Sequence, residues 1–478
     1  MTRYRPDPES LATHPVPAWW QDAKLGIMIT WGLFSVPAFA PRGTDVVRLL
    51  AQRPDDALAH TPYAEWYENS LKFPDGPTAR QHHARFGDRP YASFRADFEA
   101  ALGAWSPEPL LDLVEAAGAR YIVPVLKHHD SYCLWPTAHP NPLRGAGWHA
   151  PRDLAGELAA AARRRGLAFG AYYSAGLDWT INPQPIASLA EMRAALPVSP
   201  AGRAMMSTHW RELIARLDPD ILWNDIGYPD AQDLWELLAD YYNARPDGLI
   251  NDRFQLPGES HAALADPAAR AAFNRAVADA LSTPGFAFAP DLPPVFDHRT
   301  PEYAVGAALG DTPWETVRGI GNSFGFNAAE TAGDHLDGDA LIDLFLRIVG
   351  AGGNLLINLG PMADGQVPEL QAAPLRALGA FVRTHPHAIF ATRPSDLVPR
   401  VDMAGASFLP VRSGRRHFAL VPGAAAGAVR LPGWAGLAGI RLPDGPACPV
   451  SRDGDTLIVQ LPQAGVRVLE LMSEGGSR

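Results

Sequence analysis

The stretch YIVPVLKHHD, residues 121–130, decides how the fold is read. Tyr121 to Leu126 is an apolar run of strand length, and Lys127-His128-His129-Asp130 is entirely polar. A continuous apolar run of this length reads as a strand buried on both faces, as strands of parallel sheets are. Polar side chains gathered at its C-terminal end stand where a β/α barrel carries its chemistry. Working outward, similar runs recur at Gly26 to Trp31, Ala168 to Tyr173, Ile221 to Trp223, Leu249 to Asn251 and Asn354 to Leu359. Helical patterns separate them at Pro109–Ala117, Asp153–Arg164, Trp210–Leu217, Leu234–Asn243 and Gly338–Val349. Strands alternating with helices predict a parallel sheet. The number of units favours a (β/α)8-like, TIM-type barrel over residues 1–390.

Past residue 390 the texture changes. Ser407–Val411, His417–Val421, Thr456–Gln460 and Val466–Leu471 are short β-rich runs between Gly, Pro and Asp turns. They predict a C-terminal antiparallel β-sandwich over 391–478, read as a structural appendage. Between Gln255 and His298 lies an insertion, with an Ala-rich helical stretch from Ala262 to Leu281 and a Pro-rich run through Pro294. A connection this long is either a rim over the barrel mouth or an inert addition.

Bulk properties remove several classes of function. The chain has 478 residues and a net charge of −11. Nucleic acid is not an expected partner, because phosphate binding needs a basic face. No run approaches the roughly 20 apolar residues of a membrane span. Met1 to Leu11 offers no apolar stretch for a leader, and Cys133 and Cys448 form no disulfide framework, so a cytoplasmic protein is expected. A homo-oligomer is compatible with this composition. Of the 41 basic residues only Lys24, Lys72 and Lys127 are lysine, which suggests that these positions need lysine's shape.

The strand ends collect polar groups: Thr30-Trp31-Gly32, Lys127 to Asp130, Tyr172-Tyr173-Ser174, Trp223-Asn224-Asp225, Asn251-Asp252-Arg253 and Asn358. A metal site at His128 and His129 is disfavoured, since neighbouring strand residues point to opposite faces and no HExxH or paired-cysteine spacing accompanies them. No cofactor is implied. Neutral histidine, with one donor and one acceptor, suits sugar hydroxyls. Asp225, following Ile221-Leu222-Trp223, is the candidate nucleophile of a glycosidase. Its partner acid is Glu302 or Glu315, and spacing does not choose between them. Aromatic residues around these positions supply platforms for the apolar face of a pyranose.

These motifs resemble the α-L-fucosidases of glycoside hydrolase family twenty-nine, from about Pro17 to Gly365. The resemblance is carried by Trp20…Ala23-Lys24-Leu25-Gly26-Ile27, Trp31-Gly32, Glu65-Trp66-Tyr67, Gly118-Ala119-Arg120-Tyr121, Lys127-His128-His129-Asp130, Tyr172-Tyr173-Ser174, Leu222-Trp223-Asn224-Asp225, Asn251-Asp252-Arg253 and Gly353-Asn354-Leu355-Leu356-Ile357-Asn358. It implies a retaining exo-glycosidase acting on a small glycoside or oligosaccharide, with Asp225 as nucleophile and Glu302 as acid/base, Glu315 remaining the alternative. It further implies that Glu65, Trp66, His128, His129, Tyr172, Trp223 and Arg253 line the sugar subsite. Phe324 matches a residue packed against the sugar's C5 methyl group. Arg253 is expected to hold and orient one of the carboxylates.

One position departs from the pattern. The family usually places histidine where Thr30 stands, and that histidine binds ring hydroxyls including the axial C4 hydroxyl. Thr30 is shorter, so an α-L-glucosidase or a hydrolase of another 6-deoxy-L-sugar is the alternative to a fucosidase. A catalytically inactive sugar-binding protein and a metal-dependent hydrolase are the competing classes. The joint presence of Asp225, Glu302, Arg253, His128 and His129 argues against the first.

Overall fold

The computed structural model describes residues 3–43, 45–283, 292–305, 312–403, 405–462 and 464–473. Its centre is a parallel sheet of β1 (Leu25–Ile29), β2 (Tyr121–Lys127), β3 (Ala168–Ser174), β4 (Ile221–Asp225), β5 (Leu249–Ile250), β6 (Glu315–Gly319) and β7 (Asn354–Leu359). The order is β5-β4-β3-β2-β1-β7-β6, so β1 sits between β2 and β7 and the sheet curls into a TIM-like barrel. The gap between β5 and β6 is bridged by a stave that has no regular strand. Isolated parallel bridges join Asn251 to His298, Arg299 to Trp314 and Glu302 to Val317. Residues 297–303 thus take the eighth place, with Asp297 N–H donating to Ile250 O (3.1 Å) and Tyr303 N–H to Val317 O (3.1 Å).

Alternation along the strands sorts the side chains. Met28, Tyr121, Val123, Val125, Tyr172, Ile221, Trp223, Val317 and Leu356 form one buried cluster inside the barrel. Leu25, Ile27, Ile122, Leu126, Phe169, Leu222, Leu355 and Ile357 face the surrounding helices. This is the period of two that buries both faces of a barrel strand. Gly26 is required for the fit, because a Cβ there would lie 2.2 Å from the Tyr121 ring. The helices start on side-chain caps, such as Asp153 accepting from Gly156 N–H before Leu154–Arg164 and Asp230 accepting from Asp233 N–H before Ala231–Ala244.

All six expected barrel strands are present, and the structure adds β6 and the irregular stave. The helix expected as Trp210–Leu217 begins earlier, at Pro200, behind the Ser199 cap. Among the described residues the insertion holds not one helix but two, Glu259–Ala263 and Pro267–Leu281. Pro267 ends any run from the preceding turn, and Asp266 caps the second helix by accepting from Ala268 and Ala269 N–H. Residues 284–291 of the expected Pro-rich run lie outside the described residues.

C-terminal to the barrel, two antiparallel sheets share a core. Phe408, Val421 and Leu469 from the larger sheet pack with Val429, Leu431, Leu457 and Val459 from the three-stranded one. The larger sheet also meets the barrel helix Gly338–Gly350, where Arg467 pairs with Asp339 (3.1 Å) and Asp343.

Candidate active site

β4 carries Ile221, Trp223 and Asp225 on its inward face, with Asp225 last and therefore at the C-terminal mouth of the barrel. Asp225 is 7% exposed. Its Oδ2 accepts from the Tyr172 hydroxyl (2.6 Å) and its Oδ1 from Arg253 Nη1 (3.0 Å). The other arm of the same guanidinium, Nη2, reaches Glu302 Oε1 at 2.7 Å. One planar fork therefore holds both carboxylates. Arg253 is itself fixed: Nε donates to Thr300 Oγ1 (2.9 Å) and Nη2 to Thr300 O (3.1 Å), and the guanidinium lies 4.8 Å over the Trp223 ring. Desolvation works against its charge, but Glu302, Asp225 and Asp252 outweigh it and hold Arg253 above the usual arginine range.

Trp223 is the floor beneath these groups. It stacks on Tyr172 at 5.2 Å, and its Nε1 donates to Glu315 Oε1 (2.9 Å). Glu315 does not belong to the site. It opens β6, at the N-terminal end of the barrel, and is fully buried, accepting from the Tyr121 hydroxyl (2.7 Å) and facing His298 Nε2 (3.3 Å). Burial raises its pKa, but His298, Tyr121 and Trp223 together bring it below the usual carboxylate range. Glu302 lies on the stave beside β6 and lines the cavity. Glu315, the alternative acid/base, thus faces inward at the N-terminal end of the barrel and is not among the residues lining the cavity.

Two histidines follow β2. The expectation that they point to opposite faces fails, because the strand ends at Lys127 and the chain turns. Both rings line the cavity, with centroids 3.8 Å apart. His129 Nδ1 bonds Ser174 Oγ (2.7 Å), and His128 Nδ1 is buried with no hydrogen-bond partner among the described residues. Burial, aided by the Lys127 charge, lowers His128 to about 3, and His129 falls well below its usual value too. Both are neutral at ordinary pH. Lys127 closes the support: its Nζ bonds Ser174 O (2.9 Å) and pairs with fully buried Asp178 (2.9 Å). No group of three or more His, Cys, Asp or Glu side chains among the described residues is arranged to hold a metal.

Glu65 and Trp66 enter from the short helical turn Ala64–Trp66, and Phe324 from the loop after β6. Glu65 Oε2 accepts from Gly325 N–H (2.7 Å) and from Ser323 Oγ (3.4 Å). Desolvation raises its pKa from 4.5 to about 7, against the pull of those bonds. The folded state therefore binds this proton more tightly than the unfolded chain between pH 4.5 and 7. Its stabilising effect is complete below pH 4.5 and is lost as pH rises towards 7. Replacing Glu65 by Gln is expected to remove about 3 kcal/mol or slightly more of that pH dependence. Thermal melts of both proteins across this range check it; parallel profiles would show that Glu65 keeps an ordinary pKa.

Thr30, after β1, lines the cavity and donates its hydroxyl to Asn358 Oδ1 (2.6 Å). Asn358 in turn donates to Phe324 O (2.6 Å). Thus Thr30, Glu65, Trp66, His128, His129, Tyr172, Trp223, Arg253, Phe324, Asp225 and Glu302 all line one cavity of about 440 Å³. Sequence reading missed Thr300 and Asp252 as supports: Asp252 Oδ1 accepts from the Thr300 hydroxyl (2.6 Å) and amide (3.1 Å). The only signal for Thr300 was its closeness to Glu302.

Comparison with known proteins adds a lineage to this geometry. A family model described as α-L-fucosidase matches residues 1–386. An α-fucosidase structure from Thermotoga maritima superposes with a TM-score of 0.81 at 32% identity, covering 98% of this chain and 100% of that one. The same enzyme in complex with fucose gives 0.80 at 33% identity, with 98% and 100% covered. Tissue α-L-fucosidase of Bos taurus is 27% identical over 399 residues, covering 82% of this chain and 72% of its own.

Proposed function

The chain belongs to the α-L-fucosidase family of glycoside hydrolases, and from that premise we propose that it is an exo-acting enzyme hydrolysing α-L-fucosides with retention of configuration. The observation that carries this reading is the Arg253 fork, whose two arms contact Asp225 and Glu302. Carboxylates gripped by adjacent nitrogens of one guanidinium lie side by side, which suits the about 5 Å separation of a retaining pair better than the wider gap that admits a water.

In the proposed first step Asp225 attacks the anomeric carbon while Glu302 gives its proton to the departing oxygen. In the second, Glu302 takes a proton from water, which attacks the same carbon and releases Asp225. Tyr172 and Arg253 keep the attacking carboxylate from rotating. His128 and His129 are neutral by burial, and with Nδ1 of His129 held by Ser174 its remaining ring nitrogen is left for a ring hydroxyl. Phe324 and Trp66 supply apolar surface for the methyl group and ring face of a 6-deoxy sugar.

Thr30 favours one second reading, an α-L-glucoside or other L-sugar substrate, because its hydroxyl proton is committed to Asn358. A panel of 4-nitrophenyl α-L-glycosides tests both. The fucoside is expected to be hydrolysed fastest, with α-L-fucose as the first anomer in the proton NMR spectrum. Appearance of the β anomer first would remove the retaining mechanism, and a faster L-glucoside would replace the sugar.

A further inference from the structure

The cavity does not end at the sugar subsite. It extends into an outer chamber walled by helical segments remote in sequence: Val46 and Leu50 on Val46–Gln52, Leu189 and Met192 on Leu189–Ala194, and Phe273 and Val277 on the insertion helix Pro267–Leu281. The insertion helix is tied in place, since Asn274 accepts from Ala190 N–H (3.1 Å) and donates to Asp55 (3.0 Å). Phe273 and Val277, like Tyr303 and Phe324, pack against the apolar cluster that contains Trp66. The apolar lining of the cavity therefore includes Trp66 and Phe324, beside the proposed sugar subsite, and Phe273 and Val277 on the insertion.

A sugar as leaving group would present several hydroxyls to this wall. Each carries one donor and two acceptors and is costly to desolvate unmatched. Among the described residues, the polar groups on the chamber are few: Gln255, Arg193 and His261, with the Arg193 guanidinium lying 5.4 Å over the Phe273 ring. We propose that this chamber is an aglycone site for an apolar group, aromatic or alkyl, so that the enzyme's substrates are α-L-fucosides of hydrophobic alcohols rather than fucosylated sugars. The proposal rests on the fucosidase reading above and adds the identity of the leaving group.

Methyl and octyl α-L-fucoside and a fucosylated galactose disaccharide separate the possibilities: the first two release alcohols of nearly equal acidity and differ chiefly in what fills the chamber, and the third releases a sugar that departs at least as readily but is polar. With about 80 Å² of alkyl surface removed from water, kcat/KM for the octyl compound is expected to exceed that for the methyl compound on the order of thirtyfold. It is also expected to exceed that for the disaccharide. The Phe273→Asn variant should reduce the octyl-to-methyl ratio about tenfold. Equal rates for octyl and methyl fucoside in the wild-type enzyme, or a disaccharide preferred over octyl, would overturn the aglycone assignment while leaving the fucosidase reading intact. Failure to hydrolyse any of the three, or an aryl fucoside, would overturn both.

Discussion

Replacing Asp225 by alanine is expected to lower kcat for an aryl α-L-fucoside by about four orders of magnitude or more, the scale seen when a nucleophile is deleted from a working site. The cause is specific. Tyr172 and Arg253 both direct hydrogen bonds at this carboxylate, and no other acid among the described residues receives both. Azide should enter the space left by the side chain and attack from the same side, giving a fucosyl azide of β configuration, the opposite anomer to the substrate. The measurement is product NMR at a series of azide concentrations. Turnover close to wild type without azide would end the assignment of Asp225 as nucleophile.

The second large effect is expected at Glu302. In Glu302→Ala an aryl fucoside with a good leaving group needs little protonation, so the first step persists, whereas the second loses its base. Turnover should fall by about 10²–10⁴-fold, and more for methyl fucoside, which needs the acid as well. Azide requires no base and should restore turnover, this time giving the α azide, because Asp225 is still present and the carbon is inverted twice. The anomer of the azide therefore distinguishes the two carboxylates. If the variant kept the wild-type dependence on leaving group, the acid would have to be sought in Glu65, the other buried carboxyl on the cavity, whose pKa is raised to about 7.

Most of this site was legible because its residues terminate strands with strong apolar runs. Asp225 follows Ile221-Leu222-Trp223, and the parity of that run places it inward and at the mouth. Lysine at 127 survived an arginine-rich composition for a visible reason: its narrow ammonium fits among Ser174 O, Asp178 and the Tyr173 ring, where a broad guanidinium has no room to spread. Lys24 resists the same account. It is buried at the opposite end of the barrel with a left-handed φ of 59°, and its pKa is lowered to about 7, chiefly by burial. The choice between Glu302 and Glu315 was not legible, since each stands near a weak strand. Glu315-Thr316-Val317-Arg318-Gly319 lacks the apolar run of the other staves, and the segment around Glu302 makes only isolated bridges. The outer wall was hidden for another reason: its helices lie far apart in sequence and meet only across the mouth.

The irregular eighth stave has a consequence for how such an enzyme evolves. Asp225, the proposed nucleophile, stands on β4, which is laddered to β3 along its length and to β5 at Ile221 and Leu222. Moving it by one residue would reverse the facing of the whole strand. Glu302 stands on a stretch stitched in at single points, directly after a long insertion. Residues can be gained or lost there without shifting any neighbouring ladder. One half of the proposed catalytic pair is thus a fixture of the barrel, and the other is an interchangeable part that can be repositioned for new substrates.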